Sequence, residues 1–245
     1  MADETDRDHA LRAATRNDIG QDVIAVLRAN RWDDILQAAG EGLLVALASK
    51  TDGATELAEQ CVAALREREW YGDDELADQI ESALGTGATP LLKELKVDLE
   101  MISSSLEGDP MQGGGRIDLT DGTVYPDFMF ESGVADLDDM GMTEDDLEDP
   151  DRWLSIDCEG SRQGYRDMEK FIAWEVEDEH LAELLGMAIE GRGAFRRFRD
   201  VLHRKADSHP DMLTRWNNFS DERKTGRARE WLAGNGYRPA IGNPF

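Results

Sequence analysis

The stretch GRIDLTDGTVYP, residues 115–126, decides the fold class, because its apolar residues alternate with polar ones as in a β-strand. Ile117 and Leu119 alternate in this way, a Thr-Asp-Gly turn follows, and the pattern resumes at Val124. An Asp-Gly pair between two alternating runs is a strong local signal for a β-hairpin. The run RWLSIDC, residues 152–158, alternates as well and predicts a third strand. Three strands with a helix against one face are sufficient for a small sheet.

Most of the remaining chain has the apolar spacing of amphipathic helices. We therefore predict a mostly helical α+β protein with an N-terminal helical unit, a small antiparallel three-stranded sheet and a C-terminal helical bundle. The predicted order is a mobile acidic tail over residues 1–16, the helical N-terminal unit over 17–90, a helix and the sheet with an acidic loop over 91–160, and a C-terminal helical region packed on the sheet over 161–245.

The charge of the chain is distributed unevenly. The 245 residues have a formal net charge of −26. Residues 1–190 contain 15 lysines and arginines against 47 aspartates and glutamates, whereas residues 191–245 contain 12 against 6. A surface this acidic repels nucleic acids and anionic lipids at long range. Nucleic acid is therefore a disfavoured partner for most of the chain, and only its C-terminal fifth would attract a polyanion.

Composition indicates a cytoplasmic protein with no membrane contact. The sequence has no run of about 18 or more apolar residues, the length that a membrane-spanning helix requires. Its first residues, MADETDRDHALRAATRND, are acidic and lack the apolar region of a secretory signal. Cys61 and Cys158 are too few and too far apart for a disulfide scaffold.

The segment EGRGAFRRFRDVLHR, residues 190–204, concentrates five arginines and a histidine. In a helix, one arc of about 120° would form the core face. The residues of that arc are Ala194, Phe195, Phe198, Val201 and Leu202. A basic ridge would occupy an adjoining arc of about 60°. The ridge contains Arg192, Arg196, Arg199 and His203, with Arg197 and Arg204 pointing away from the core.

Like charges three or four positions apart cost about 0.2–0.5 kcal/mol per pair, so this ridge predicts an anionic group opposite it. Guanidinium groups suit carboxylates and phosphates alike, which leaves three interpretations. The first is pairing with carboxylates of the same chain, in residues 175–179 or in residues 135–151, which contain nine. The second is a protein partner or a small anion, and the third is nucleic acid. The predicted contact residues are Arg192, Arg196, Arg197, Arg199 and His203.

No catalytic or metal-binding motif is recognisable. An EF-hand loop that starts at Asp136 would need oxygen ligands where Met140 and Leu147 stand. The cysteines and histidines show neither CxxC nor HxxxH spacing. Cys158 is not surrounded by the small residues of a nucleophile elbow. We therefore predict no catalytic residues, no metal ligands and no cofactor.

Several strings in the second half of the chain resemble a known family. They are YRDMEKFI from Tyr165, GRGAFRRFRD, the pair Trp216 and Phe219, and AREWL before a glycine. VDLEMISSSLEG and IDLTDGTVYP are similar to the N-terminal part of the same family. Over about residues 95–238 the chain thus resembles the bacterial uncharacterised protein family 0158. The resemblance implies a shared fold, and the family has no established activity, cofactor or catalytic residue to carry over.

Together these observations favour a non-catalytic cytoplasmic protein of interaction or regulation, whose basic and aromatic C-terminal helix contacts a partner. One alternative is an enzyme with an unrecognised carboxylate and arginine site, in which carboxylates buried between the sheet and the C-terminal helices would do the chemistry. A second alternative is nucleic-acid binding through the basic C-terminal face.

Overall fold

The computed structural model of the chain describes residues 4–108, 111, 113–131 and 141–242. Its helices are α1 (Glu4–Arg16), α2 (Gly20–Ala29), α3 (Leu36–Ala48), α4 (Ala54–Arg68), α5 (Asp73–Leu84), α6 (Leu99–Leu106), α7 (Phe128–Glu131), α8 (Glu144–Glu148), α9 (Arg162–Glu175), α10 (Glu179–Ile189), α11 (Ala194–Arg204) and α12 (Met212–Gly234). Its strands are β1 (Lys93–Leu95), β2 (Gly115–Asp118), β3 (Val124–Pro126), β4 (Trp153–Ile156) and β5 (Tyr237–Pro239). The predicted mostly helical α+β class is confirmed. The part of the acidic loop that starts the rejected EF-hand, Asp136 to Met140, lies outside the described residues.

Helices α1 to α5 enclose one apolar core, in which Leu43, Leu65 and Leu76 are fully buried. A methyl group added at Gly40 of α3 would lie 2.6 Å from a methyl carbon of Leu76 in α5. The absence of a side chain at Gly40 therefore lets these two helices pack closely, and α3 continues through this glycine.

The prediction of a mobile acidic tail over residues 1–16 is wrong for residues 4–16, which form α1. Leu11 is 1% exposed and belongs to the N-terminal core. Arg7 is 4% exposed and forms hydrogen bonds of 2.7 and 2.8 Å to the two carboxylate oxygens of Asp34. A buried ion pair thus helps to hold α1 against the N-terminal core. The spacing of apolar residues in the sequence does not show such an ion pair.

The predicted three-stranded antiparallel sheet is confirmed, with strand order β3-β2-β4. Ile117 of β2 stands opposite Val124 of β3 and Leu154 of β4. Helix α6 covers one face of the sheet with the fully buried Ile102, and Leu232 of α12 joins the same core. The hairpin and the third strand therefore lie where the alternating pattern predicts them.

A second, parallel pair of strands was not predicted. Lys93 of β1 stands opposite Tyr237 of β5, and Leu95 stands opposite Pro239. Each strand has three residues, which is too short for an alternating pattern to be recognised in the sequence. This pair holds the segment before α6 against the segment after α12.

Helices α9, α10 and α11 and the first half of α12 enclose an aromatic core. Phe198 of α11 packs against Trp216 of α12 with ring centroids 4.7 Å apart, and Phe171 of α9 lies 5.3 Å from the same tryptophan. Helix α12, which is 23 residues long, then continues to the sheet, where Ala228 and Leu232 are fully buried. One helix therefore joins the aromatic core to the sheet core.

Helix α12 also touches the N-terminal helices, at a contact between two glycines. A methyl group added at Gly226 of α12 would lie 2.0 Å from the carbonyl oxygen of Tyr71, and one at Gly72 would lie 2.2 Å from the carbonyl oxygen of Gly226. Gly72 also has a φ of 75°, a left-handed conformation that favours glycine. The two backbones therefore meet without side chains between them.

We expect Gly226→Ala to destabilise the protein by about 1–3 kcal/mol, because the backbones must separate to admit the methyl group. The matched control is Gly186→Ala in α10, where the added methyl would meet no atom within 4 Å. This control should stabilise the protein by about 0.5–1 kcal/mol, the ordinary preference of a helix interior for alanine. Chemical denaturation measures both variants, and equal stability of the two would contradict the close approach.

Candidate interaction surface

Helix α11 begins directly after a glycine turn. Gly191 and Gly193 have φ values of 74° and 77°, which favour glycine, and they turn the chain sharply from α10 into α11. Most of the predicted core face is confirmed, since its aliphatic residues and one aromatic residue are buried. These are Ala194, Phe198, Val201 and Leu202. The placement of Phe195 on that face is wrong, because its side chain is 41% exposed.

The basic ridge faces solvent. One side of the helix carries Arg196, Arg199 and His203, because they are three and four residues apart. Arg192 lies in the turn just before the first residue of α11. We call five exposed residues the α11 surface: Arg192, Phe195, Arg196, Arg199 and His203. Within the described residues, the ion pair on this surface is Arg196 with Asp200 of the same helix, at 3.8 Å. The side chains of that pair are 89% and 51% exposed, so it contributes little.

Arg197 belongs to the turn rather than to the ridge. Its guanidinium donates hydrogen bonds to the backbone carbonyl oxygens of Ala188 at 3.0 Å and Glu190 at 2.5 Å, and also to that of Arg192. The carbonyls of Ala188 and Glu190 lie at the C-terminal end of α10, where helix carbonyls have no partner within the helix, and that of Arg192 lies in the turn. Arg197 therefore stabilises the α10–α11 turn, and its predicted role as a contact residue has no support in this geometry.

The first interpretation from sequence, pairing of the ridge with carboxylates of residues 175–179 or 135–151, finds no such ion pair among the described residues, where the ridge pairs with Asp200 of its own helix. Glu175 instead pairs with Arg215 at 2.6 Å. Asp178 accepts a hydrogen bond from the backbone N–H of Leu181 and caps α10. Asp146, in the described part of the acidic stretch, pairs with Arg152 at 2.6 Å. These three carboxylates therefore have partners other than the ridge, whose arginine side chains are exposed to solvent.

Phe195 adds an apolar side chain at the edge of the ridge. At about 3.6 residues per turn it projects beside Arg199, between the ridge and the core face. Its ring covers Gly164 of α9, where an added methyl group would lie 3.0 Å from the ring. The α11 surface therefore combines several cationic groups with one half-exposed aromatic ring.

Comparison with known proteins places most of the chain in one family. The family model described as Uncharacterised protein family (UPF0158) matches residues 98–244. The chain belongs to this family. The UPF0158 protein PA5073 of Pseudomonas aeruginosa is 32% identical to it over 92 residues, which are 38% of this chain and 57% of that protein. No solved structure gives a significant match.

The UPF0158 region contains α6, the three-stranded sheet, α11 and α12, whereas α1 to α5 and β1 precede it. Among the described helices, none is both long and apolar enough to cross a membrane. In the part of the chain that the structure describes, no group of three or more histidine, cysteine, aspartate or glutamate residues is placed to hold a metal ion. Burial raises the pKa of the Cys61 thiol to about 12, so this thiol stays protonated at neutral pH.

A second set of arginines, missed in the sequence analysis, is buried along α12 of the UPF0158 region. Arg223 is 4% exposed and lies 2.5 Å from Asp167 of α9, which is 1% exposed. Arg227 lies 2.8 Å from the other oxygen of Asp167 and also pairs with Glu107. These pairs hold α9 and the end of α6 against α12. A partial signal existed in the sequence, because Arg223 and Arg227 are four residues apart and share one side of a helix.

Another side of α12 faces the N-terminal helices through Glu222. Its carboxylate accepts hydrogen bonds from the backbone N–H groups of Gln37 at 2.7 Å and Ala38 at 3.2 Å, and Arg68 lies 2.9 Å away. The residue that precedes α3, Ile35, has no side chain that can cap this helix, so Glu222 caps α3 from across the molecule. Burial raises the pKa of Glu222, although Arg68 and the N–H of Gln37 oppose the shift.

Two of the buried carboxylates lie elsewhere than the enzyme alternative places them, whereas Asp118 is fully buried in the sheet and pairs with Arg152 at 2.6 Å. That alternative put them between the sheet and the C-terminal helices. Glu222 is instead buried between α12 and α3, and Asp167 between α12 and α9. Both are held by arginines, and both serve contacts between helices.

Proposed function

We propose that this UPF0158 protein is a cytosolic, non-catalytic interaction protein, and that the α11 surface binds an acidic segment of a partner protein. The observation that carries the proposal is a concentration of exposed guanidinium groups in a chain whose net charge is −26. Arg192 and Arg199 remain without an ion pair among the described residues.

The chemistry of the α11 surface supports an acidic segment as the partner. Guanidinium groups bind carboxylates through paired hydrogen bonds, and arginine and aromatic residues are enriched where proteins bind one another. Phe195 offers an apolar contact beside Arg199, so the complementary segment carries several carboxylates around an apolar side chain. Burial of the exposed part of Phe195 would then add to the binding free energy.

Nucleic acid fits this surface less well than an acidic polypeptide. Phosphates also attract guanidinium groups, but a long polyanion would extend past α11 onto a chain with 53 aspartates and glutamates. An acidic peptide segment is short enough to remain on the surface. At physiological ionic strength, charges beyond about 8 Å are largely screened, so the local ridge dominates a compact contact.

A peptide titration tests the proposal. The probe is a fluorescent synthetic peptide of Glu-Glu-Leu repeats, which combines carboxylates with apolar side chains and is not a segment of this chain. We expect the full-length protein to bind it at about 0.1 M salt, and Arg196→Glu with Arg199→Glu to weaken binding at least about tenfold, or about 1.4 kcal/mol. Fluorescence anisotropy measures the affinity, which should fall as salt is raised.

The matched control is Arg31→Glu with Lys50→Glu, which makes the same change in net charge at exposed positions between the N-terminal helices. It should leave the affinity within about twofold of wild type, since neither position belongs to the α11 surface. Equal weakening by both double variants, or no binding of the peptide, would refute the proposal. Tighter binding of a single-stranded oligonucleotide than of the peptide would favour the nucleic-acid alternative instead.

A further inference from the structure

A polar cleft lies where the N-terminal helices meet the UPF0158 region, separate from the α11 surface. It has a volume of about 310 Å³. Its walls come from α1, α3, the first turn of α6, the middle of α12 and the residues after β5. This volume is at the small end of the range of ligand pockets, about 300–1,000 Å³, so the cleft suits a small metabolite.

Many of the charged groups that line the cleft are paired within the protein. Arg12 lies 2.9 Å from Asp221, and Arg229 lies 2.7 Å from Glu41. Glu222 is paired with Arg68, which does not itself line the cleft. The Arg229 guanidinium is 2% exposed, whereas the Glu41 side chain is 38% exposed. Glu41 is therefore the part of this buried network that a ligand can reach.

Four charged side chains of the lining have no ion pair among the described residues. Two are cationic, Arg16 at the end of α1 and Lys224 on α12. Two are anionic, Asp98 and Glu100 at the start of α6. The cleft thus offers cationic and anionic groups in equal number, where a site for a simple anion or a simple cation would offer one sign.

The anionic side of the cleft extends from Asp98 to Glu41. Loss of hydration raises the pKa of Glu41, and the negative charge of Asp98 raises it further, while Arg229 opposes both effects. Glu41 is paired with Arg229 at 2.7 Å whereas Asp98 has no ion pair among the described residues, so this side of the cleft favours the arrival of a further positive charge. A ligand ammonium group would meet this need.

We propose that the cleft binds a zwitterionic α-amino acid, with its ammonium group between Asp98 and Glu41 and its carboxylate at Lys224. Apolar residues of the lining receive the side chain. Ile241, which is 40% exposed, offers most of this contact, whereas Leu44, Val97 and Leu99 lie beneath the surface of the cleft at 3–6% exposure. This apolar lining selects an aliphatic amino acid over a charged one. Because both walls of the cleft contribute, the ligand stabilises the contact between the N-terminal helices and the UPF0158 region.

Calorimetric titration of the full-length protein with individual L-amino acids tests the proposal. We expect an aliphatic amino acid to bind with a Kd of about 1 mM or tighter and to raise the midpoint of thermal unfolding. Its N-acetyl derivative, which lacks the ammonium group, and its amide, which lacks the carboxylate, should each bind at least about tenfold more weakly. Absence of binding by every amino acid up to about 10 mM overturns the proposal, as does equal binding of the amide.

Two conservative variants locate the site. The Asp98 side chain caps α6 by accepting a hydrogen bond of 2.8 Å from the backbone N–H of Glu100. Asp98→Asn removes the charge but keeps a residue that caps helices well. Lys224→Gln removes the opposite charge from a half-buried position on α12. Each should weaken amino-acid binding at least about tenfold while unliganded stability is retained. The control Lys205→Gln, after α11, should bind as wild type does. Equal binding by all three variants shows that the ligand lies elsewhere and refutes the assignment.

Discussion

Replacement of Glu222 by alanine is expected to destabilise the protein by about 3–5 kcal/mol, the cost of breaking a buried ion pair from one side. Glu222 is 4% exposed, and its carboxylate serves three donors at once. In this variant Arg68 loses the carboxylate of Glu222 as a partner. The N–H groups of Gln37 and Ala38 lose their acceptor. Each unsatisfied buried group adds to the cost. Helix α3 would lose its cap at the same time.

Chemical denaturation at neutral pH measures this effect. The control is Glu230→Ala, which removes an exposed glutamate from the same helix and should change the free energy of unfolding by about 0.5 kcal/mol or less. Glu222→Gln keeps one hydrogen-bond acceptor and should fall between wild type and Glu222→Ala. If Glu222→Ala is as stable as Glu230→Ala, then α12 does not cap α3.

Replacement of Phe198 by alanine is expected to cost about 3–5 kcal/mol, because it opens a cavity in the aromatic core. Phe198 is fully buried and lies within 4.7 Å of Trp216 and 6.1 Å of Phe171, measured between ring centroids. Both contacts have edge-on geometry, which adds to the burial of apolar area. The loss of this ring would loosen α11 from α9 and α12.

Phe195→Ala is the matched control, one turn earlier on the same helix. Phe195 is 41% exposed, so its loss should cost about 1 kcal/mol or less in stability. The same variant should weaken binding of the acidic peptide, because Phe195 belongs to the α11 surface. Urea denaturation and peptide titration together separate the two roles, and equal destabilisation by the two substitutions would show that α11 is oriented differently.

The sequence was informative wherever a local pattern specifies a local structure. An Asp-Gly turn between alternating runs predicted the β2–β3 hairpin, and helical periodicity predicted the buried face of α11. Phe195 shows the limit of such a pattern, since it lies at the edge of the predicted core face. Whether an edge residue is buried depends on the neighbouring helix, which periodicity alone does not describe.

The features that were missed depend on contacts between distant parts of the chain. Helix α1 is anchored by the pair of Arg7 and Asp34, and β1 pairs with β5 across 140 residues or more. Charged residues are usually exposed, so the sequence gives no sign that several of those on α12 are buried. The structure therefore separates buried from exposed arginines, which the number of arginines in a segment does not do. Arg223, Arg227 and Arg229 are used inside the fold, whereas Arg196 and Arg199 remain at the surface.

The most direct test of this division is hydrogen–deuterium exchange of the full-length protein with and without the acidic peptide. Backbone exchange slows where a bound ligand stabilises local structure. Our account predicts that the peptide slows exchange in residues 192–204 and in the adjoining part of α9, and leaves α12 unchanged beyond residue 220. Slower exchange confined to other helices, or no change at any saturating peptide concentration, would contradict the claim that the exposed arginines of α11 form a binding surface.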